Sequence, residues 1–148
     1  MGSIDDCILI QQDLDRFFDY ASENDLSLNV DKCKIMRFYR ILRPCIFDYK
    51  INNNILDSVE TIKDLGVMLD TSLTFTDHYD YITNKAIKLL GFIKRSMSDF
   101  GNVHGFKMIY CSLIRSVLEY ASNIWSPYYD IHVKNIERVQ NKFLRLIA

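Results

Sequence analysis

The hydrophobic pattern changes period once along this chain, near residue 76, and that change limits the folds open to it. From Asp77 onward, apolar residues recur every three to four positions, the spacing of helices with one buried face. In 77–98, Ile82, Ala86, Leu89, Leu90, Ile93 and Met97 share one arc, while Lys88 and Arg95, seven apart, project from the other side. The stretch 103–124 is apolar on most faces (Phe106, Ile109, Tyr110, Leu113, Val117, Leu118, Ala121, Ile124), which predicts a central, well-covered helix ended by Ser126-Pro127. The last helix, 130–147, turns Val133, Ile136, Val139, Phe143 and Ile147 inward. It turns Lys134, Arg138, Lys142 and Arg145 outward. Residues 76–148 therefore read as a three-helix bundle.

Residues 1–75 read differently. Ile10, Leu14, Phe17 and Ala21 fall at helical spacing, with Asp5 and Asp6 at a favourable N-terminus, so 4–22 is expected to be a helix ended by Glu23-Asn24-Asp25. Short β-like segments follow at Leu26–Val30, Ile35–Arg40, Ile46–Ile51, Ser58–Ile62 and Leu65–Leu69. Asn52-Asn53-Asn54 is a turn, because asparagine tolerates the left-handed backbone. The expected class is α+β: a helix with short antiparallel strands over 1–75, then the helical bundle over 76–148. No long linker and no internal repeat intervenes.

The chain has 148 residues, 49% of them apolar and 13% aromatic, enough for a core and incompatible with disorder. Its net charge of −1 excludes a globally basic nucleic-acid binder. The regional balance is uneven, however: −5 over 1–36, neutral over 37–75 and +4 over 76–148. Cys7, Cys33, Cys45 and Cys111 lie 26, 12 and 66 apart, with no Cys-x-x-Cys, and His78, His104 and His132 are scattered. That spacing supports neither a zinc site nor a disulfide scaffold. The acidic N-terminus lacks the pattern of a signal peptide, and no apolar run approaches a membrane span. A soluble, intracellular protein with reduced thiols, cytoplasmic or nuclear, is the expectation. The final helix stops at Leu146-Ile147-Ala148 without a cap, which predicts a chain cut from a longer one.

Five collinear stretches carry a resemblance. They are Gln12-Asp13-Leu14-Asp15-Arg16, Leu26-Ser27-Leu28-Asn29-Val30-Asp31-Lys32-Cys33-Lys34-Ile35-Met36 and Lys63-Asp64-Leu65-Gly66-Val67-Met68-Leu69-Asp70. Leu113-Ile114-Arg115-Ser116-Val117-Leu118-Glu119-Tyr120-Ala121 and Ile136-Glu137-Arg138-Val139-Gln140-Asn141-Lys142-Phe143-Leu144-Arg145 complete the set. Together they resemble the reverse transcriptase (RNA-directed DNA polymerase) of non-LTR, LINE-type, jockey-like retrotransposons. The resemblance covers nearly the whole chain and implies the end of the palm followed by the thumb. The family's catalytic carboxylates belong to an earlier aspartate motif and a Tyr-x-Asp-Asp hairpin, and neither motif is present. Ile4-Asp5-Asp6-Cys7 lacks the aromatic two places ahead and reads as a helix start rather than a metal motif. Two-metal phosphoryl transfer needs those carboxylates. The resemblance thus implies a transposable-element fragment that binds no metal itself and is inactive alone, with Mg²⁺ expected in the intact enzyme.

The resemblance also assigns roles. Asn29-Val30-Asp31-Lys32 corresponds to the motif whose lysine protonates the departing pyrophosphate, making Lys32 the candidate catalytic residue; a solvated loop lysine is the competing reading. Leu65 and Gly66 correspond to the primer-grip hairpin, against a plain turn or bulge. The thumb lies along an RNA template–DNA primer duplex, so Lys88, Arg95, Lys134, Arg138, Lys142 and Arg145 are candidate phosphate contacts. The rival is a solvated helix face. Trp125, Tyr128 and Tyr129 are left between base stacking and burial. A non-catalytic nucleic-acid-binding or helical interaction module is the alternative function.

Overall fold

The computed structural model describes residues 3–38, 45–96 and 103–147. They divide into two compact units, one of Met1–Ile62 with Asp70–Leu73, the other of Lys63–Leu69 with Thr74–Ala148. The chain is α+β, as expected.

The first unit opens with helix α1 (Ile4–Glu23). Ser3 caps it: its Oγ accepts from the Asp6 N–H at 3.2 Å while the Asp6 carboxylate accepts from the Ser3 N–H at 3.4 Å. Asp5-Asp6 is thus a helix start. At the other end Asp25 is left-handed (φ 56°), and Leu26 N–H reaches back to the Ala21 carbonyl at 2.8 Å, closing the helix as the composition indicated. Of the apolar arc, Ala21 is buried, Ile10 and Leu14 are half-buried, and Phe17 is exposed.

The strands are shorter than the pattern predicts. Leu26–Val30 is not a strand; Asn29 instead caps a 3₁₀ turn at Val30–Lys32. Of Ile35–Arg40 only β1 (Lys34–Ile35) is strand among the described residues, Arg40 lying outside them, and Ile46–Ile51 contributes only β2 (Lys50–Ile51). β2 pairs antiparallel with β3 (Asn54–Ile55) across Asn52 (φ 48°) and Asn53 (φ 62°), a mirror-image turn that suits the twist of paired strands. Ser58–Ile62 is split between β4 (Asp57–Ser58) and β5 (Thr61–Asp64). β1 pairs with β4 in parallel, against the antiparallel expectation; the 21 residues between Ile35 and Asp57 supply the crossover that parallel pairing requires. Gln11 ties α1 to β2, its amide donating to the Lys50 carbonyl and accepting from the Lys50 N–H, both at 2.9 Å.

Leu65–Leu69 is not one strand either. Leu65 (φ 44°) and Gly66 (φ 90°) form the two-residue turn between β5 and β6 (Val67–Asp70). The second unit takes in this tip and the helices that follow it. Helix α2 (Thr76–Ser96) buries Ile82, Ala86, Leu90 and Ile93 and half-buries Leu89; Met97 lies outside the described residues. Helix α6 (Asp130–Ile147) buries Val139 and Phe143 and half-buries Val133, Ile136 and Ile147. Between them the expected single helix is interrupted. It runs as α3 (Val103–Ile109), a π-helical turn (Tyr110–Arg115), α4 (Ser116–Glu119), a left-handed break at Ala121 (φ 53°) and α5 (Ser122–Trp125). Ser112 and Ser116 hydroxyls bond to the carbonyls of Ile109 and Ser112 within the widened stretch, a competition that serine brings to helix interiors. Only Tyr110, Ile114 and Leu118 are buried there with Trp125, while Met108, Leu113 and Ile124 are exposed, so this segment is covered on one side alone.

Candidate nucleic-acid interface

The hairpin tip 63–69 is held by four aromatic side chains of its own unit. Tyr120 Oη donates to the Leu65 carbonyl at 2.9 Å, and a Cβ on Gly66 would lie 3.2 Å from Tyr120 Cε1. Trp125 Nε1 donates to the Tyr120 carbonyl at 2.8 Å, and Tyr79 Oη donates to the Trp125 carbonyl at 2.9 Å. His78 closes the chain of contacts. Its Nδ1 accepts the Met68 N–H at 3.2 Å, and its ring meets Trp125 edge-on at 5.0 Å. His78 is 1% exposed, and burial pushes its pKa below the ordinary value. Burial likewise raises that of Tyr79. With Nδ1 accepting, the neutral ring carries its proton on Nε2, a buried atom with no hydrogen-bond partner among the described residues. Clamped at both Leu65 and Met68, the hairpin presents Leu65, an 84% exposed apolar side chain on a left-handed backbone. A bulky residue in that region is strained, and the strain is retained here with no packing to offset it.

Two cationic surfaces belong to this unit. On α6, Lys134, Arg138, Lys142 and Arg145 line a shallow concavity with Asn135, Glu137 and Asn141, and none of the four cations ion-pairs with a described carboxylate. Their spacing of four, four and three puts them on one face, and the opposite face is pinned by Phe143 stacking on Tyr110 at 4.1 Å. On α2, Lys88 shares a concavity with Tyr81, Asn84, Lys85 and Leu89, whereas the Arg95 guanidinium runs back beside Gly91. Lys63 from β5 reaches Tyr81: Nζ donates to Tyr81 Oη at 2.8 Å and lies 4.5 Å from the ring centroid. The Lys63 ammonium thereby holds the Tyr81 phenol below its usual pKa.

Of the aromatic residues left between stacking and burial, Trp125 is 2% exposed and belongs to the clamp, so it offers no face to a base. Tyr128 is 90% exposed and meets Tyr129 edge-on at 5.4 Å. In the other unit, Lys32 ends the 3₁₀ turn, exposed, while its neighbour Lys34 is paired with Asp57 at 2.7 Å. Among the described residues no three of His, Cys, Asp and Glu converge as a group that could hold a metal ion. No described helix is long and apolar enough to cross a membrane.

The chain is similar to a polymerase of a mobile element. It is 28% identical over 142 residues to the RNA-directed DNA polymerase from mobile element jockey of Drosophila funebris. That alignment takes in 94% of this chain but 15% of the relative, so the chain spans a small part of that protein's length. No family model matches, and no solved structure matches.

The tertiary structure brings together what lies apart in the sequence. Lys63–Asp70 and Leu113–Ala121, two of the stretches that carried the resemblance, meet where Tyr120 bonds Leu65. Lys88 and Arg95 sit on α2, and the remaining four candidate cations on α6. Tyr120, His78, Tyr81, Lys63 and Lys85 were not singled out as site residues. Lys85 lies three positions before Lys88, and counting along the helix would have found it. Nothing local marks Tyr120 as the partner of a glycine 54 residues earlier.

Proposed function

We propose that this chain is a segment of a jockey-like RNA-directed DNA polymerase, comprising the end of the palm and the thumb, and that it holds an RNA template–DNA primer duplex. The similarity across 94% of the chain carries this reading. In it, the α6 face of Lys134, Arg138, Lys142 and Arg145 lies against phosphates, joined by Lys88 and Arg95 of α2. Such contacts position a duplex without reading its sequence. The clamped hairpin serves as the primer grip, with the exposed Leu65 set against the primer end and Gly66 permitting the turn under Tyr120. Lys32 acts in the intact enzyme as the acid that protonates departing pyrophosphate. The carboxylates that hold Mg²⁺ are supplied by the rest of that enzyme, and the segment alone does not polymerise.

The test is affinity for an RNA–DNA duplex measured against salt. Each neutralised phosphate contributes a slope of about −0.9 in log affinity against log salt, so the α6 face alone gives a steep dependence. Lys134→Glu/Arg138→Glu/Arg145→Glu is expected to abolish most of the binding at moderate salt. A flat salt response, or unchanged affinity in that variant, overturns the proposal in favour of a helical interaction module.

A further inference from the structure

The contact between Lys63 and Tyr81 uses chemistry that a merely solvated lysine would leave idle. Lys63 Nζ donates to Tyr81 Oη, so one lone pair of the phenol is occupied and its own O–H is directed elsewhere. The described hydrogen bonds include none donated by that hydroxyl. Around it on α2 lie the Asn84 amide and the ammonium groups of Lys85 and Lys88, one helical turn apart, sharing a concavity with Tyr81. Neither lysine forms an ion pair with a described carboxylate. The acids nearest in sequence are Asp64, beside Lys63, Asp77, in the first turn of α2 where the helix dipole favours negative charge, and Asp80, beside Tyr81. The result is a set of donors from two elements beside a held aromatic ring, at a concavity that Leu89 also lines.

We infer that Lys63, Tyr81, Asn84, Lys85 and Lys88 form a second nucleic-acid contact, separate from the α6 face, which takes a phosphodiester: the Tyr81 hydroxyl donates to a phosphate oxygen and the lysines neutralise its charge. The inference rests on the proposal that the chain binds nucleic acid, in which Lys88 is already a phosphate contact, and adds to it Lys63, Tyr81, Asn84 and Lys85, which sequence patterning did not select. Lys63 is a positioning residue here, holding the phenol so that its proton points outward. Tyr81 supplies direction, which the flexible lysine stems cannot.

The test uses the full 148-residue chain, an RNA–DNA duplex and three variants, with thermal unfolding as the folding control. Lys85→Ala/Lys88→Ala removes two counterion-releasing contacts and is expected to lower the magnitude of the salt slope by about 2. Tyr81→Phe keeps the ring but loses a neutral donor; it is expected to weaken binding roughly tenfold while leaving the slope unchanged. Lys63→Ala is expected to weaken binding as Tyr81→Phe does, and to add nothing in the Tyr81→Phe background beyond one unit of slope. If the chain binds duplex and loses affinity in the α6 variant, yet Lys85→Ala/Lys88→Ala leaves the slope intact, this inference falls, and the proposed function stands on the α6 face without Lys88. If the unaltered chain binds no duplex, both fall. If the double variant loses binding to vesicles containing phosphatidylserine but not to duplex, the face serves a membrane surface and the inference is overturned.

Discussion

Gly66 and His78 show how single residues hold the hairpin tip. Gly66 adopts φ 90°, a region that side chains with a Cβ enter only under strain, and Tyr120 covers the position a Cβ would take. Gly66→Ala is therefore expected to destabilise the second unit by about 1–2 kcal/mol. Urea unfolding followed by Trp125 fluorescence measures this, and an unchanged midpoint would show that the turn is slack. His78 makes the same tip sensitive to pH. Its folded pKa lies below the ordinary value of about 6.5, so the unfolded chain binds the proton more readily. Stability is then full above about pH 6.5 and is lost as pH falls from there toward the lower folded pKa. The urea midpoint at pH 5.5 should lie below that at pH 7.5, and the difference should shrink in His78→Phe. An equal drop in both proteins would assign the effect to other groups.

The elements differ in how they are held. α2 and α6 pack Ile82, Ala86, Leu90, Val139 and Phe143 into a shared core, and their inward residues recur at helical spacing over about four turns. β1, β2, β3 and β4 have two residues each, and such short ladders stay marginal without further strands. Amide exchange should accordingly be slowest in the inner turns of α2 and α6 and fast in β1 and β4. Comparable protection across both sets would mean that the short strands are held by more than their ladders. The π-helical turn and the left-handed Ala121 belong with this contrast. They divide the segment between α2 and α6, from which Tyr110, Ile114, Leu118 and Trp125 reach the core.

Apolar burial is divided unequally between the two units. Among the described residues, the core cluster of Val67, Tyr79, Ile82, Ala86, Leu90, Ile93, Tyr110, Ile114, Leu118, Trp125, Val139 and Phe143 falls entirely within the second. In the first, Cys7, Ala21, Ile51 and Leu56 are the buried apolar residues. Each large apolar side chain taken from water contributes about 1.5–3 kcal/mol, so the second unit has the deeper reserve of stability. Urea is expected to unfold the first unit earlier. Trp125, the one tryptophan, reports on the second unit, so its fluorescence midpoint should exceed that of far-UV circular dichroism, which also counts α1. Coincident midpoints would show a single cooperative transition instead.

The sequence by itself determined the features that depend on neighbours within a turn or two of chain. Helices α1 and α6 run within two residues of the spans their periodicity indicates, α2 starts within one residue of its own, the ends of α1 are where Asp5-Asp6 and Glu23-Asn24-Asp25 put them, and Asn52-Asn53 makes its turn. The lysine and arginine stripe on α6 was equally legible, because helical geometry alone sets which residues share a face. What the tertiary structure decided was every pairing between distant segments. The parallel match of β1 with β4, the Tyr120 bond to Leu65, the burial of Trp125 and the lock of Lys63 on Tyr81 each join residues whose local surroundings are compatible with several partners. Local propensity fixes backbone direction over a few residues. Which side chains then meet depends on how the helices pack, and only the three-dimensional arrangement holds that information.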